Sequence, residues 1–153
     1  MKKSIITTLI LILILAVAIC AGCSTSLVKY SESKAVPTQR IYEPYKQYSQ
    51  SKKDSATIIV VRDGGLLGAG GSAALFVNGE IVARLRTSES LILHVVEGDN
   101  VIGAGPGTKM DWESDSVGLV EQTLLVMRNK TYYYRLGIHP YSGLVLNRST
   151  QVE

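Results

Sequence analysis

Leu75-Phe76-Val77-Asn78-Gly79-Glu80-Ile81-Val82 is the stretch that decides the fold. Two apolar runs flank Asn-Gly, the pair that best tolerates positive φ at both central positions of a two-residue turn, so the spacing predicts a β-hairpin. The chain on either side keeps strand character. Upstream, Ala56-Thr57-Ile58-Ile59-Val60-Val61-Arg62 is dense in β-branched residues, and a glycine-rich loop, Gly64 to Gly71, follows it. Downstream, Ser90 to Val96 reads as a strand ended by Glu97-Gly98-Asp99-Asn100, and Val101 to Ala104 as a short one before Gly105-Pro106-Gly107. Leu119 to Met127 alternates loosely, Arg128-Asn129-Lys130 turns the chain, Thr131 to Leu136 is a tyrosine-rich strand, and Leu144 to Asn147 is the last. No segment carries helical periodicity over a useful length. The expectation is an all-β domain over residues 55–153, an antiparallel sandwich of about seven strands.

The N-terminus has a different character. Met1-Lys2-Lys3 is a short basic start, Ile5 to Ile19 is almost wholly apolar, and Cys20-Ala21-Gly22-Cys23 follows. An apolar run of that length suits a signal segment and is short for a spanning helix, which needs about 20 residues. Small residues before a cysteine are what a lipoprotein signal peptidase accepts. The match to a bacterial lipobox lies at Ala21, Gly22 and Cys23, with Cys20 standing where Leu is usual. Residues 1–22 are therefore expected to be a signal peptide cleaved between Gly22 and Cys23, with Cys23 acylated as a membrane anchor. Ser24 follows, where an Asp commonly retains lipoproteins in the inner membrane; Ser24 resembles the outer-membrane sorting pattern.

Ser24 to Asp54 is rich in Ser, Lys, Gln and Tyr, contains Pro37 and Pro44, and shows neither helical nor strand period. Residues 23–54 are expected to be the lipidated cysteine and a flexible linker; a coil of about 30 residues spans roughly 30 Å. Tyr30, Tyr42, Tyr45 and Tyr48 interrupt this picture: they suit the lipid interface or a partner's surface, or, the preferred reading, some of them pack back on the domain as an N-terminal arm.

Composition narrows the function classes. The chain has 153 residues, 46% hydrophobic and 19% charged, an ordinary balance for one globular domain behind an apolar leader. Loss of Lys2 and Lys3 with the signal takes 16 basic residues to 14, against 13 acidic ones. A nearly neutral mature chain offers no basic surplus for nucleic acid. The only cysteines are Cys20 and Cys23. With one removed and the other a thioether, neither a disulfide nor thiolate chemistry is expected.

The opening strand, the Leu75–Leu85 hairpin, the step Leu91 to Val101 and the late Lys130-Thr131-Tyr132-Tyr133-Tyr134-Arg135-Leu136 strand resemble, in that order, a family of small bacterial lipoproteins with a β-sandwich domain of unknown function. They are more loosely similar to carboxypeptidase-regulatory-like modules. The resemblance covers about Ala56 to Asn147 and is most specific at the hairpin and at Lys130-Thr131-Tyr132-Tyr133; Pro106 to Gly118 departs from its shortest form. It implies an envelope structural or binding role and brings no catalytic residues.

Chemical constellations are weak. The glycine-rich loop follows a strand, but neither a helix nor a Lys-Ser/Thr pair comes after it, so phosphate has no helix dipole to meet. Asp111, Glu113 and Asp115 alternate around Trp112 and suit a solvated acidic loop better than a calcium hand, since they lack its glycine turn and closing glutamate. His94 and His139 are far apart, with no cysteine nearby, which argues against zinc. No serine sits in a nucleophile elbow. Tyr132 and Tyr134 share one strand face; with Trp112 and Tyr141 they form a candidate surface for a protein or glycan partner, the alternative being packing within the sheet. The expectation is a non-enzymatic binding or structural module, lipid-anchored in the outer membrane and facing the periplasm, without metal, cofactor or nucleic acid. An accessory lipoprotein of a secretion or envelope-assembly machine is the alternative, and a periplasmic hydrolase a more distant one.

Overall fold

The computed structural model describes residues 25–65, 70–107, 118–139 and 141–150. In chain order the strands are β1 (Thr25–Ser26), β2 (Lys34–Ala35), β3 (Ser55–Arg62), β4 (Gly64–Gly65), β5 (Ala73–Val77), β6 (Glu80–Leu85), β7 (Glu89–Val96), β8 (Gly98–Pro106), β9 (Val120–Val126), β10 (Thr131–His139) and β11 (Gly143–Ser149), with 3₁₀ turns at Tyr30–Glu32, Thr38–Arg40 and Glu43–Tyr48. Asn78 and Gly79 join β5 to β6 with φ of 51° and 81°, the primed geometry that matches strand twist. The Asn78 side chain also reaches the neighbouring β8: its carbonyl accepts the Val101 amide at 2.9 Å and its amide donates to Asn100 at 2.9 Å.

A five-stranded sheet in the order β11-β10-β3-β7-β2 faces a four-stranded sheet in the order β6-β5-β8-β9, and β1 pairs with β4 at one end. The all-β, sandwich-like expectation holds, but the count of about seven strands is too low. Nine strands make up the two main sheets, and part of the excess comes from the segment read as linker.

The wholly antiparallel expectation is also corrected. β10 runs parallel to β3, and β2 parallel to β7. The reason lies in the turn after β9. Arg128-Asn129-Lys130 carries the chain from the four-stranded sheet into the other one. There the Asn129 amide donates to Ser55 O at 3.0 Å and the Thr57 amide to Lys130 O at 2.9 Å, so β10 starts beside the start of β3. Two strands that start at the same end must run parallel.

One core fills the sandwich. Ala56, Ile58 and Val60 of β3, Leu91, Leu93 and Val95 of β7 and Tyr132, Tyr134 and Leu136 of β10 meet Leu75 and Val77 of β5, Val82 and Leu85 of β6, Ile102 of β8 and Leu124 and Val126 of β9. A smaller cluster covers the outer face of the five-stranded sheet, where Val28 packs on Ile59 and Val61 beside Tyr30, Ile92 and Tyr133. β3 is thus buried on both faces, which is why its sequence is a continuous β-branched run rather than an alternation.

Residues 25–54 are not a flexible linker. They form an arm that crosses the outer face of one sheet and closes the side gap between β7 and β6. The Lys34 and Val36 amides donate to Ser88 O and Ser90 O, and the Tyr42 amide to Val82 O, at 2.9, 3.1 and 3.0 Å. Val36 and Tyr48 enter the core at 6% and 8% exposure. The composition suggested a coil because each apolar contact is a single residue spaced irregularly. An arm that follows no regular period needs only a few anchors and borrows its hydrogen bonds from existing strands.

Candidate functional site

Three arrangements bear on function: a groove under the arm, a set of buried charges, and the end of the sandwich where the chain enters it.

The groove forms where β2 stops. Pro37 has no amide hydrogen to continue the ladder, and the chain turns away into Thr38–Arg40, leaving the edge of β7 uncovered beyond Ser90. The next outward carbonyl, Ile92 O, accepts the Tyr45 hydroxyl at 3.2 Å. The resulting cavity, about 230 Å³, is floored by Val36, Ile41, Leu91 and Ile92 and flanked by Tyr30 and Tyr45. This is smaller than the ~300–1,000 Å³ usual for metabolite sites. Burial pushes the Tyr45 phenol up, so it stays protonated and acts as a donor. The lining can hold a small apolar group; it offers no carboxylate, imidazole or thiol to do acid–base work.

The buried charges hold the arm and the sheets together. The Arg40 guanidinium makes a two-pronged contact with Glu89, one prong at 2.6 Å, and also donates to Arg84 O at 3.2 Å. The Arg86 amide donates to the same carboxylate at 2.7 Å. Burial alone would push the Glu89 carboxyl up, but the hydrogen bonds and charge of Arg40 and the hydrogen bond from Arg86 outweigh it and hold the group below the ordinary range. Arg62, 3% exposed, ends β3 and ties the two sheets by donating to Gly71 O and Leu85 O. Burial draws its pKa down, and the Glu89 charge opposes that shift. Asp63 pairs with Arg135 and lies 3.4 Å from the Val28 amide, which fixes the start of the arm. These pairs are tens of residues apart in sequence, and no local pattern announces them.

The entry end is built from β1 and β4. Thr25 lies opposite Gly65 and Ser26 opposite Gly64. A Cβ on Gly64 would come within 2.7 Å of the Ser26 hydroxyl, so glycine is what lets β1 lie this close. β10 runs three residues past Leu136, its last residue paired with β3 (opposite Arg62), to His139, and the hairpin to β11 extends from this same end. At its tip Tyr141 is 95% exposed, 5.8 Å ring to ring from His139. Leu27, next to β1, is 70% exposed.

The candidate aromatic surface is corrected. Tyr132 and Tyr134 are each 2% exposed and face the core. Strand alternation turned the pair inward and left Tyr133, partly buried, on the outer face under Val28. The Tyr132 hydroxyl accepts the Met127 amide at 3.0 Å and donates to Leu125 O at 3.4 Å, so its polar end is used inside the fold. Tyr141 lies at the opposite end of the β10–β11 hairpin from Tyr132. His94 sits across from Thr57 near the start of β3, whereas His139 is beyond its far end, so the two histidines do not converge. Among the described residues no group of three His, Cys, Asp or Glu is placed to hold a metal ion. The signal segment, Gly22, Cys23, residues 66–69 of the glycine-rich loop, Asp111, Trp112, Glu113 and Asp115 lie outside the described residues.

No family model matches the chain, and no similar protein was found among curated proteins or solved structures.

Proposed function

We propose that the protein is an envelope lipoprotein: residues 1–22 are removed, Cys23 carries acyl chains, and the β domain serves as a non-enzymatic binding or structural module, anchored in the outer membrane and facing the periplasm. The observation that carries this reading is the order of residues 1–23: basic start, apolar run, then Cys20-Ala21-Gly22-Cys23. The fold supports it in one respect. Thr25, two residues after the cysteine, is already in β1 at one end of the sandwich, which suits an anchor attached at that end. The groove and its apolar lining suit capture of a small apolar side chain from a partner better than turnover of a substrate.

The test is expression of the full chain with an alkynyl palmitate analogue, wild type beside Cys23→Ala. The expected result is label on the wild type alone, and a mature N-terminus that begins at Cys23. Label retained by Cys23→Ala, or an unlabelled wild type, refutes the lipoprotein reading. Crosslinking of the labelled protein in membranes then identifies the partner; capture of one stoichiometric component of a secretion or assembly machine assigns the module to it.

A further inference from the structure

We infer that the domain does not hang from a tether but is held with one end against the lipid, with Tyr141 and Leu27 in the bilayer interface. The inference rests on the lipoprotein reading of Cys23 and follows from the length of chain left over. Thr25 is already paired with Gly65. A single residue, Ser24, separates the pair from the cysteine. Two residues of extended chain span at most about 7 Å. The acyl chains of Cys23 must enter the membrane, so the β1–β4 pair is held within that distance of the headgroups.

The surface around this point suits the interface. Tyr141 is a nearly fully exposed tyrosine at a projecting hairpin tip, with its ring stacked obliquely near His139 rather than folded onto the core. An amphipathic ring of this kind is favoured where one side is apolar and the other wet. Leu27 is the most exposed aliphatic side chain among the described large hydrophobics, and it follows β1 directly. Asp63, the carboxylate that follows β3 at this end, is paired with Arg135, and its side chain is only 12% exposed. Exposed charges on the neighbouring arm and turn are Lys29, Lys34 and Arg86 against Glu32, a balance that does not oppose anionic headgroups.

The arrangement can be read with spin labels. Once Cys20 has left with the signal and Cys23 is a thioether, the mature chain has no free thiol, so single cysteines can be placed at will. Tyr141→Cys and Lys53→Cys, at the entry end and at the opposite end, are both exposed positions. The full-length variants are purified from membranes, labelled with a nitroxide, and reconstituted in phosphatidylethanolamine–phosphatidylglycerol vesicles. Collision rates with oxygen, which partitions into lipid, and with an aqueous nickel chelate are then compared. The inference expects the oxygen-to-nickel ratio to be several-fold higher at 141 than at 53. Equal, water-like ratios at both positions, with mass spectrometry showing an acylated Cys23, overturn the inference and leave the lipoprotein reading standing. An unmodified Cys23 in the purified wild type overturns both.

Discussion

Glu89 is the shared counter-charge for the arm and for the buried end of β3, so neutralising it should cost more than removing Arg40. Glu89→Gln keeps the shape of the side chain and removes its charge. Two effects follow. Arg40, whose side chain is 20% exposed against 12% for Glu89, loses a two-pronged charge-assisted contact. Arg62, 3% exposed, loses the charge that offsets its burial. Loss of one partner from a fully buried pair costs about 3–5 kcal/mol, whereas an exposed pair contributes about 0–1 kcal/mol. The intermediate burial here places Arg40→Ala at about 1–2 kcal/mol and Glu89→Gln at about 2–3 kcal/mol on those scales. For a domain of about 100 residues this is roughly 4–8 °C of melting temperature per kcal/mol. The pH dependence has a fixed sign. The Glu89 carboxyl is lowered in the folded state, so its contribution is present above the unfolded carboxylate value of about 4.3 and is lost as pH falls through the folded value. The assay is urea denaturation of the mature domain at neutral pH and in acid, for wild type, both single variants and the double variant. The reasoning is refuted if Arg40→Ala proves as costly as Glu89→Gln, if the two changes add without coupling, or if Glu89→Gln leaves the acid dependence of stability unaltered.

Other consequences are equally direct. Tyr48→Ala should destabilise by about 3 kcal/mol, since truncating a buried aromatic leaves a cavity; a change under about 1 kcal/mol in denaturant melts, a size typical of surface sites, would mean the arm is not part of the core. Tyr132→Phe should cost about 0.5–1.5 kcal/mol by orphaning the Met127 amide and should leave partner capture in crosslinking unchanged, because the side chain is internal. Gly79→Val should cost about 1–3 kcal/mol, because a β-branched residue must then adopt a φ of 81°; thermal melts within error of wild type would contradict the turn geometry.

What could be read from the sequence was whatever depended on local period. The Asn78-Gly79 hairpin, the doubly buried β3 run and the turn at Arg128-Asn129-Lys130 each have local causes, and each stands in the structure; the turn read over Glu97-Gly98-Asp99-Asn100 narrows to Glu97, because Gly98, Asp99 and Asn100 already pair with β9 and lengthen the expected short strand to Gly98–Pro106. Parallel pairing of β10 with β3 was not legible, because it depends on which sheet the chain enters after Asn129 rather than on the residues of either strand. Tyr132 and Tyr134 show the limit of alternation. A period of two says that they share a face, but the choice between core and solvent is made by the second sheet, which reaches them from residues far along the chain. The arm was legible only in its tyrosines, which suggested that part of the segment packs back on the domain; its course and its aliphatic anchors were not, for a third reason. Val28, Val36, Ile41, Tyr45 and Tyr48 are spaced by 8, 5, 4 and 3 residues and match no regular period, yet each meets an existing apolar surface.

An arm that belongs to the fold changes what an anchor at Cys23 would do mechanically. Any pull from the lipid reaches β1 first, and β1 is a two-residue ladder on Gly64 and Gly65. Behind it, the 3.4 Å contact of the Val28 amide with Asp63 and the burial of Val28 over Ile59 and Val61 form the first substantial hold. Detaching β1 therefore frees Thr25, Ser26 and Leu27 without disturbing the main core. It lengthens the link by roughly 10 Å at about 3.3 Å per residue. Beyond Val28 the resistance rises, because the next steps must break the β2 pairing with β7, the Arg40–Glu89 contact and the burial of Tyr48. On the lipoprotein reading the β1–β4 ladder is thus the link that holds the entry end against the membrane, and the main-sheet pairings lie behind it.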